Sequence, residues 1–290
     1  MNNASDKLPT PLVDSAWLQE HLEDPDLRIL DCSVIRNDHG DGTYSFRSGR
    51  KAWLNTHIPG SIFVDVLSEL SDPSHPVHLM MPPVDKFADI MAGLGVGDGT
   101  RVVLYDNSNH AWAARVWWML RVCGFDAAAV LNGGLSKWLQ EVRPTDVNVR
   151  QYPRATFTLR PQPRLMATKE EVLSSLGKQS VSLINALSPE SFHGEVSLFP
   201  RPGRIPGSSN VYCQTLVDPD HKTYINTGQM RRLFGPTGAL TADRVITYCG
   251  GGIAASSDAL ALTLLGVKDI AVYDGSMAEW TADPDMPMEL

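Results

Sequence analysis

The sequence lacks the paired cysteines of a disulfide-stabilised or zinc-binding protein. Its 290 residues include four cysteines, and no two of them have CxxC spacing. They are Cys32, Cys123, Cys213 and Cys249. Disulfide frameworks are typical of small secreted proteins, so four isolated cysteines favour reduced thiols in the cytoplasm. We therefore expect neither a metal ion nor a cofactor.

Long hydrophobic runs and an excess of positive charge are also missing. Residues 111–131 are the most apolar stretch, but charged side chains interrupt them before the about 18 residues that a membrane span needs. The first six residues, MNNASD, have neither the basic nor the apolar part of a secretory signal, which supports a cytoplasmic location. The formal charge of −8 argues against a nucleic-acid partner. We expect no membrane partner either.

Motifs of the first half of the chain return in the second half in the same order. The matching pairs are VVLYD (102–106) with VITYC (245–249), HIPGS (57–61) with RIPGS (204–208), and AVLNGG (129–134) with AVYDGS (271–276). Each half then reaches a tryptophan, Trp138 or Trp280. A repeat spaced by about 145 residues indicates a duplicated domain rather than a solenoid.

Short apolar runs alternate with helical periodicity in each half. Continuous runs such as 102–104 and 129–131 are typical of strands that are covered on both faces of a parallel sheet. Helices are predicted at 14–22, 83–94 and 111–123, and after the cap signals at Thr168 and Ser188. The alternation predicts an α/β fold with two tandem domains, each a mostly parallel sheet flanked by helices.

Proline usage predicts where the two domains meet. Residues 141–164 contain Pro144, Pro153, Pro161 and Pro163 and show little periodicity, as linkers do. We expect a first domain at residues 1–143, a linker at 144–164 and a second domain at 165–290.

Cys249 stands at the position where the first half has Asp106. It follows a predicted strand and precedes Gly250, Gly251 and Gly252, after which an apolar helix is predicted. Glycines allow successive backbone N–H groups to converge on one point, and the helix N-terminus adds partial positive charge. We expect this environment to lower the pKa of the Cys249 thiol and make it a nucleophile. The alternative is a small buried hydrophobe at a tight turn, which we expect for the other cysteines.

These motifs resemble those of the two-domain rhodanese-type sulfurtransferases, which include thiosulfate and 3-mercaptopyruvate sulfurtransferases. The resemblance covers nearly the whole chain and also includes RVWWMLR at 115–121. It implies an inactive first domain and a catalytic second domain. Cys249 would take sulfur from a small-molecule donor as a persulfide and pass it to a thiol or cyanide acceptor. The residues that would bind the donor and the persulfide are Gly250, Gly251, Gly252, Ile253 and Ala254.

Departures from the family pattern bear on the donor. The loop CGGG at 249–252 is closer to the CGSG of mercaptopyruvate enzymes than to the basic loop of thiosulfate enzymes, so 3-mercaptopyruvate is favoured. Gly251, however, replaces the serine of that pattern. Leu187 stands where the family often has a donor-binding arginine. Our hypothesis is that Arg201 and Arg204 supply that charge from another loop.

The mercaptopyruvate type also implies an aspartate and a histidine from the first domain facing the cysteine. Asp65 matches the aspartate, and His78 lies one position before the family histidine. A histidine there would relay protons near neutral pH. The alternative for His78 is a solvated loop residue.

Other functions stay open at this point. The first is a thiosulfate:cyanide sulfurtransferase. The second is a non-catalytic binding protein on a decayed rhodanese fold, which the loss at Leu187 supports and the retained Cys249 opposes. The third is a thiol-dependent phosphatase or arsenate reductase, but its loop would end in arginine, and Ala255 and Ser256 stand there. The oligomeric state is not predicted.

Overall fold

The computed structural model describes residues 8–40 and 43–290, so the N-terminal segment used above to predict the compartment lies outside the described residues. The chain divides into two compact units. Unit 1 comprises the described residues up to Asp72 together with Met81–Gln162 and Pro219–Thr223. Unit 2 comprises Pro73–Met80, Pro163–Asp218 and Tyr224–Leu290. Among the described residues, no helix has the length and hydropathy needed to cross a membrane.

Unit 1 is a parallel sheet with flanking helices. Its strands are β1 (Leu12–Val13), β2 (Leu27–Asp31), β3 (Val34–Asp38), β4 (Tyr44–Ser48), β5 (Ser61–Phe63), β6 (Arg101–Tyr105) and β7 (Ala128–Leu131). Its helices are α1 (Ser15–Glu20), α2 (Arg50–Asn55), α3 (Val84–Gly93), α4 (Ala111–Val122) and α5 (Gly134–Gln140). The sheet order is β1-β7-β6-β2-β5 with every pairing parallel, while β3 and β4 form an antiparallel pair.

Unit 2 has the same construction. Its strands are β8 (Met166–Ala167), β9 (Val181–Asn185), β10 (Ser209–Asn210), β11 (Arg244–Tyr248) and β12 (Ile270–Tyr273). Its helices are α6 (Lys169–Ser175), α7 (Pro189–Phe192), α8 (Thr227–Phe234), α9 (Ile253–Leu264) and α10 (Ser276–Ala282). The parallel sheet has the order β10-β9-β11-β12-β8, which is that of unit 1 when each strand is matched to its counterpart. The predicted duplication of an α/β fold is confirmed.

The repeated IPGS motif ties a loop to the central strand of each sheet. The hydroxyl of Tyr105, at the end of β6, lies 3.0 Å from the hydroxyl of Ser61. In unit 2, the hydroxyls of Tyr248 and Ser208 are 2.6 Å apart, and the N–H of Ile205 also donates to Tyr248. The motif thus makes the same hydrogen bond between a strand-end tyrosine and a loop serine in both units.

Capping signals locate the helix starts in unit 2. The hydroxyl of Thr168 accepts a hydrogen bond from the N–H of Glu171, and α6 begins directly after Thr168. The hydroxyl of Ser188 accepts from the N–H of Ser191 at the start of α7. These bonds satisfy N–H groups that the first turn of a helix leaves without a helical partner. Both predicted starts are confirmed.

The proline-rich segment before unit 2 runs in extended form along unit 1. The N–H of Asp98 donates to the carbonyl of Thr156 at 2.7 Å, and the N–H of Gln162 donates to the carbonyl of Val122 at 2.7 Å. A Cβ on Gly97 would lie 2.2 Å from the carbonyl oxygen of Thr156, so only glycine allows this close approach. The segment is therefore held to unit 1 as far as Gln162.

Candidate active site

Cys249 follows the central strand of the sheet in unit 2. β11 lies between β9 and β12, and all three strands run parallel. α9 begins at Ile253 after Gly252, whose φ of 76° lies in the left-handed region that favours glycine. The predicted strand, glycine turn and helix are all present. Cys249 thus lies at the carboxyl end of a parallel sheet, where α/β proteins commonly place their ligand sites.

Helix α10 holds the carbonyl groups of the loop. The N–H of Met277 donates to the carbonyl of Cys249 at 3.0 Å, and the N–H of Ala278 donates to that of Gly250 at 3.0 Å. Because these carbonyl groups are bound to α10, the loop is fixed with other N–H groups free to bind a ligand. Within the described part of the chain, no protein acceptor is bound to the N–H groups of Gly250, Gly251, Ile253 and Ala254.

The hydroxyl of Ser276 binds two N–H groups of the loop. This residue was not identified from the sequence. Its hydroxyl accepts from the N–H of Cys249 at 3.0 Å and from the N–H of Gly252 at 3.2 Å, and it donates to the carbonyl of Tyr273 at 2.7 Å. Ser276 has φ of 48°, which is unfavourable for a residue with a side chain. Its counterpart in the repeat is Gly134, with φ of 51°. A signal for Ser276 was therefore present in the aligned halves, where a serine replaces a glycine.

Cys249 is more deeply buried than most of the loop that follows it. Cys249 is only 2% exposed, whereas Gly250, Gly251 and Ile253 are partly exposed. The side chain of Cys249 is therefore largely shielded from solvent. The loop itself carries no charged side chain, so backbone dipoles provide its positive field.

The other three cysteines are buried in different surroundings. Burial raises the pKa of the Cys32 and Cys213 thiols well above the ordinary value. It raises the pKa of the Cys123 thiol to about 12. All three are neutral thiols at neutral pH and match the expected role of small core residues.

Asp106 shows what the matching loop of unit 1 binds. One carboxylate oxygen accepts from the N–H of Ser108 at 2.8 Å and that of His110 at 3.1 Å. The other accepts from the N–H groups of Trp112 and Ala113, both at 3.1 Å. The loop after this strand therefore gathers backbone donors around an anion, which in unit 1 is its own side chain. In unit 2 a cysteine stands at that position.

The structure places His78 in unit 2, near the loop. The segment Pro73–Met80 belongs to this unit, and the carbonyl oxygen of His78 would lie 3.6 Å from a Cβ on Gly251. Asp65 belongs to unit 1, where its carboxylate accepts from the N–H of Leu67 and its own N–H donates to Glu69. The backbone of His78 is thus next to the loop, and the catalytic roles of both residues stay predictions.

Arg201 and Arg204 have protein partners. The guanidinium of Arg201 donates to carbonyl groups at and after the end of α10, namely those of Trp280, Thr281, Asp283 and Met286. Arg204 forms an ion pair with Glu289 and lies 4.6 Å from the ring centre of Phe192. These contacts favour structural roles for both side chains. Their binding of the donor stays a prediction.

Comparison with known proteins finds relatives that match over most of the chain. A family model described as a rhodanese-like domain matches residues 14–141 and 168–283. The chain is 33% identical over 285 residues to the 3-mercaptopyruvate sulfurtransferase of Escherichia coli strain K12, covering 97% of this chain and 98% of the relative. It is also 33% identical over 282 residues to the thiosulfate sulfurtransferase of Cricetulus griseus, covering 93% and 91%.

A solved structure shows the same architecture. The crystal structure of SseA from Escherichia coli, described as the rhodanese fold of 3-mercaptopyruvate sulfotransferases, matches with a TM-score of 0.81 and 31% identity. The match covers 92% of this chain and 98% of that chain.

Proposed function

The chain belongs to the rhodanese-like family in its two-domain sulfurtransferase form, and from that premise we propose how it moves sulfur and from which donor. The observation that supports the proposal best is the loop of Cys249. Four of its N–H groups have no protein acceptor in the described part of the chain, and the matching loop of unit 1 binds a carboxylate through its own N–H groups. Unit 1 has Asp106 in place of a cysteine, so we assign the chemistry to unit 2 alone.

The first step loads the enzyme. The Cys249 thiolate attacks the outer sulfur of the donor, a new S–S bond forms, and the donor's bond to that sulfur breaks. With 3-mercaptopyruvate the electron pair of the C–S bond leaves as the enolate of pyruvate, which takes up the proton given up by the donor's thiol group. With thiosulfate the S–S electron pair leaves on sulfite. In both cases Cys249 carries an anionic persulfide, which the N–H groups of Gly250, Gly251, Ile253 and Ala254 stabilise.

The second step unloads the enzyme. A thiol or cyanide attacks the outer sulfur of the persulfide, and the Cys249 thiolate leaves as the S–S bond breaks. The same N–H groups then hold the thiolate. One set of backbone donors thus serves both steps, because each intermediate places negative charge at the same position.

We propose 3-mercaptopyruvate as the preferred donor. Gly250 and Gly251 leave the loop without the positive side chains that would stabilise a sulfite leaving group. The relative from Escherichia coli is named for 3-mercaptopyruvate. Thiosulfate is the second candidate, since the relative from Cricetulus griseus is named for it.

Mass spectrometry of the loaded protein tests the reaction. After exposure to either donor, the peptide with Cys249 is expected to gain the mass of one sulfur atom, and Cys249→Ser is expected to gain none. The ratio of kcat/KM for the two donors, measured with one acceptor, tests the preference. A thiosulfate advantage of about tenfold, or about 1.4 kcal/mol in the transition state, would overturn the preference and leave the reaction intact. A protein that takes no sulfur from either donor would be a binding protein.

A further inference from the structure

The ring of Phe199 rests on the residue that follows the nucleophile. A Cβ on Gly250 would lie 3.5 Å from Cε1 of Phe199 and only 2.9 Å from its Cζ, and the second distance is shorter than real Cβ contacts. Gly250 is not among the glycines with positive φ, so its backbone would suit any residue. A side chain at position 250 would therefore have to displace the ring of Phe199, whereas the turn itself does not demand glycine there.

Contacts on both sides hold the backbone around Phe199. The hydroxyl of Ser197 accepts from the N–H of Phe199 at 3.2 Å and donates to its carbonyl at 3.0 Å. Two residues later, Arg201 is bound by the four carbonyl groups around the end of α10. The ring itself packs against the core cluster that includes Tyr248. The ring of Phe199 is thus partly buried, in contact with the core cluster and next to Gly250.

The position of the Phe199 ring affects which sulfur donor is favoured. The ring occupies the space that a side chain at position 250 would fill, so the residue after the nucleophile has an apolar neighbour and no charged side chain of its own. An organic donor presents a methylene group that gains from apolar contact. Thiosulfate presents only charged oxygen and sulfur, and its leaving group needs positive charge.

We propose that Phe199 is a specificity-determining residue that selects an organic 2-keto thiol donor over inorganic thiosulfate. It does so by packing on Gly250, which keeps basic side chains out of the loop and lines it with an apolar surface. The proposal rests on the proposed function, because it concerns the choice between donors of the same Cys249 reaction.

Donor ratios of a Phe199 variant test the selection. In Phe199→Ala, the ratio of kcat/KM for 3-mercaptopyruvate to that for thiosulfate is expected to fall about tenfold, mainly through the organic donor. Leu198→Ala is the matched control, because Leu198 is an exposed neighbour and should leave the ratio unchanged. An unchanged or higher ratio in Phe199→Ala, or an equal loss for both donors, would overturn the proposal. Failure of the wild-type protein to use either donor would instead overturn the proposed function.

A paired substitution tests the contact itself. Gly250→Ala is expected to lose about tenfold or more in kcat/KM with 3-mercaptopyruvate, because its methyl group meets the ring. Combined with Phe199→Ala, the same substitution should cost less than it does alone. Full activity of the single Gly250→Ala variant, or additive losses in the double variant, would show that the ring does not determine the residue at position 250.

Discussion

At the scale of single residues, the hydroxyl of Ser276 is the clearest test of how the loop is held. Ser276→Ala removes an acceptor for two loop N–H groups and keeps an unfavourable φ of 48°. We expect it to destabilise the protein by about 1 to 3 kcal/mol and to lower kcat at least about tenfold. Ser276→Gly removes the same hydroxyl but relieves the backbone.

The two variants separate strain from function. Ser276→Gly is expected to lose as much kcat as Ser276→Ala while unfolding at a higher temperature, because glycine accepts positive φ without a Cβ clash. Thermal unfolding and steady-state kinetics of both proteins provide the check. Equal melting temperatures together with wild-type kcat would contradict the assigned role.

The buried carboxyl group of Asp258 leads to a prediction about how the free energy of unfolding depends on pH. It lies in α9, it is fully buried, and neither carboxylate oxygen has a hydrogen-bond partner in the described part of the chain. Burial raises the pKa of Asp258 well above its ordinary value of 3.8. The folded protein therefore keeps this proton at pH values where the unfolded chain has lost it, and the free energy of unfolding falls as pH rises from 3.8 towards the raised pKa.

A substitution isolates this contribution. Burial also raises the pKa of Asp31, to about 6, so the decrease due to Asp31 is nearly complete above that pH. Above about pH 6.5, the decrease in unfolding free energy that remains should be smaller in Asp258→Asn, which cannot titrate. Chemical denaturation at a series of pH values measures this slope. An equally steep decrease in the variant would show that another group is responsible.

At the scale of elements, Asp106 is the internal ligand of the loop between β6 and α4. We expect Asp106→Asn to destabilise unit 1 by about 1.5 to 3 kcal/mol, because four N–H groups lose a charged acceptor. Denaturant unfolding measures the loss. Asp126→Asn is the control, since that exposed carboxylate pairs with Arg121 at 3.7 Å and should contribute little. Similar stability of both variants would contradict the role of Asp106.

A substitution of Arg201 distinguishes a structural role at the end of α10 from a role in binding the donor. If the side chain mainly binds the carbonyl groups after α10, Arg201→Ala should lower the free energy of unfolding by about 1.5 to 3 kcal/mol and leave the donor KM of the folded protein unchanged. Kinetics below the melting temperature, together with denaturation curves, measure both. A raised KM at unchanged stability would support the sequence hypothesis that Arg201 binds the donor.

Elements with their own local signal were predictable, and others were not. α4 and β6 have long apolar patterns, and α6 has a cap at Thr168, so each was visible in the sequence. The edge strand β10 has only two residues and no periodicity of its own, because neighbouring backbone defines it. α8 was not predicted, although its capping box of Asn226 and Gln229 was a usable signal.

The residues of the candidate site also differ in whether the sequence predicts them. The nucleophile and its glycines follow from one strand-to-helix turn, which the sequence shows directly. Ser276 and Phe199 reach the loop from distant parts of the chain, so no local pattern links them to Cys249. The repeat offered a clue to Ser276 through Gly134, whereas nothing in the aligned halves pointed to Phe199.

At the scale of the whole molecule, two copies of one fold carry a single nucleophile. We expect one transferable sulfur per chain, measured as cyanide-labile sulfur against protein concentration. Asp106→Asn should leave that stoichiometry at one, and Cys249→Ser should reduce it to zero. Two sulfur atoms per chain would mean that a buried cysteine, such as Cys32 in unit 1, also takes part.

The contact between Phe199 and Gly250 also constrains how such a protein can evolve. A basic residue after the cysteine would meet the ring of Phe199 unless that ring shifts or position 199 first becomes smaller. Among descendants of this sequence, positions 199 and 250 should therefore change together. A change of donor from organic to inorganic sulfur would start with a substitution of Phe199, and substitutions in the loop after Cys249 would follow.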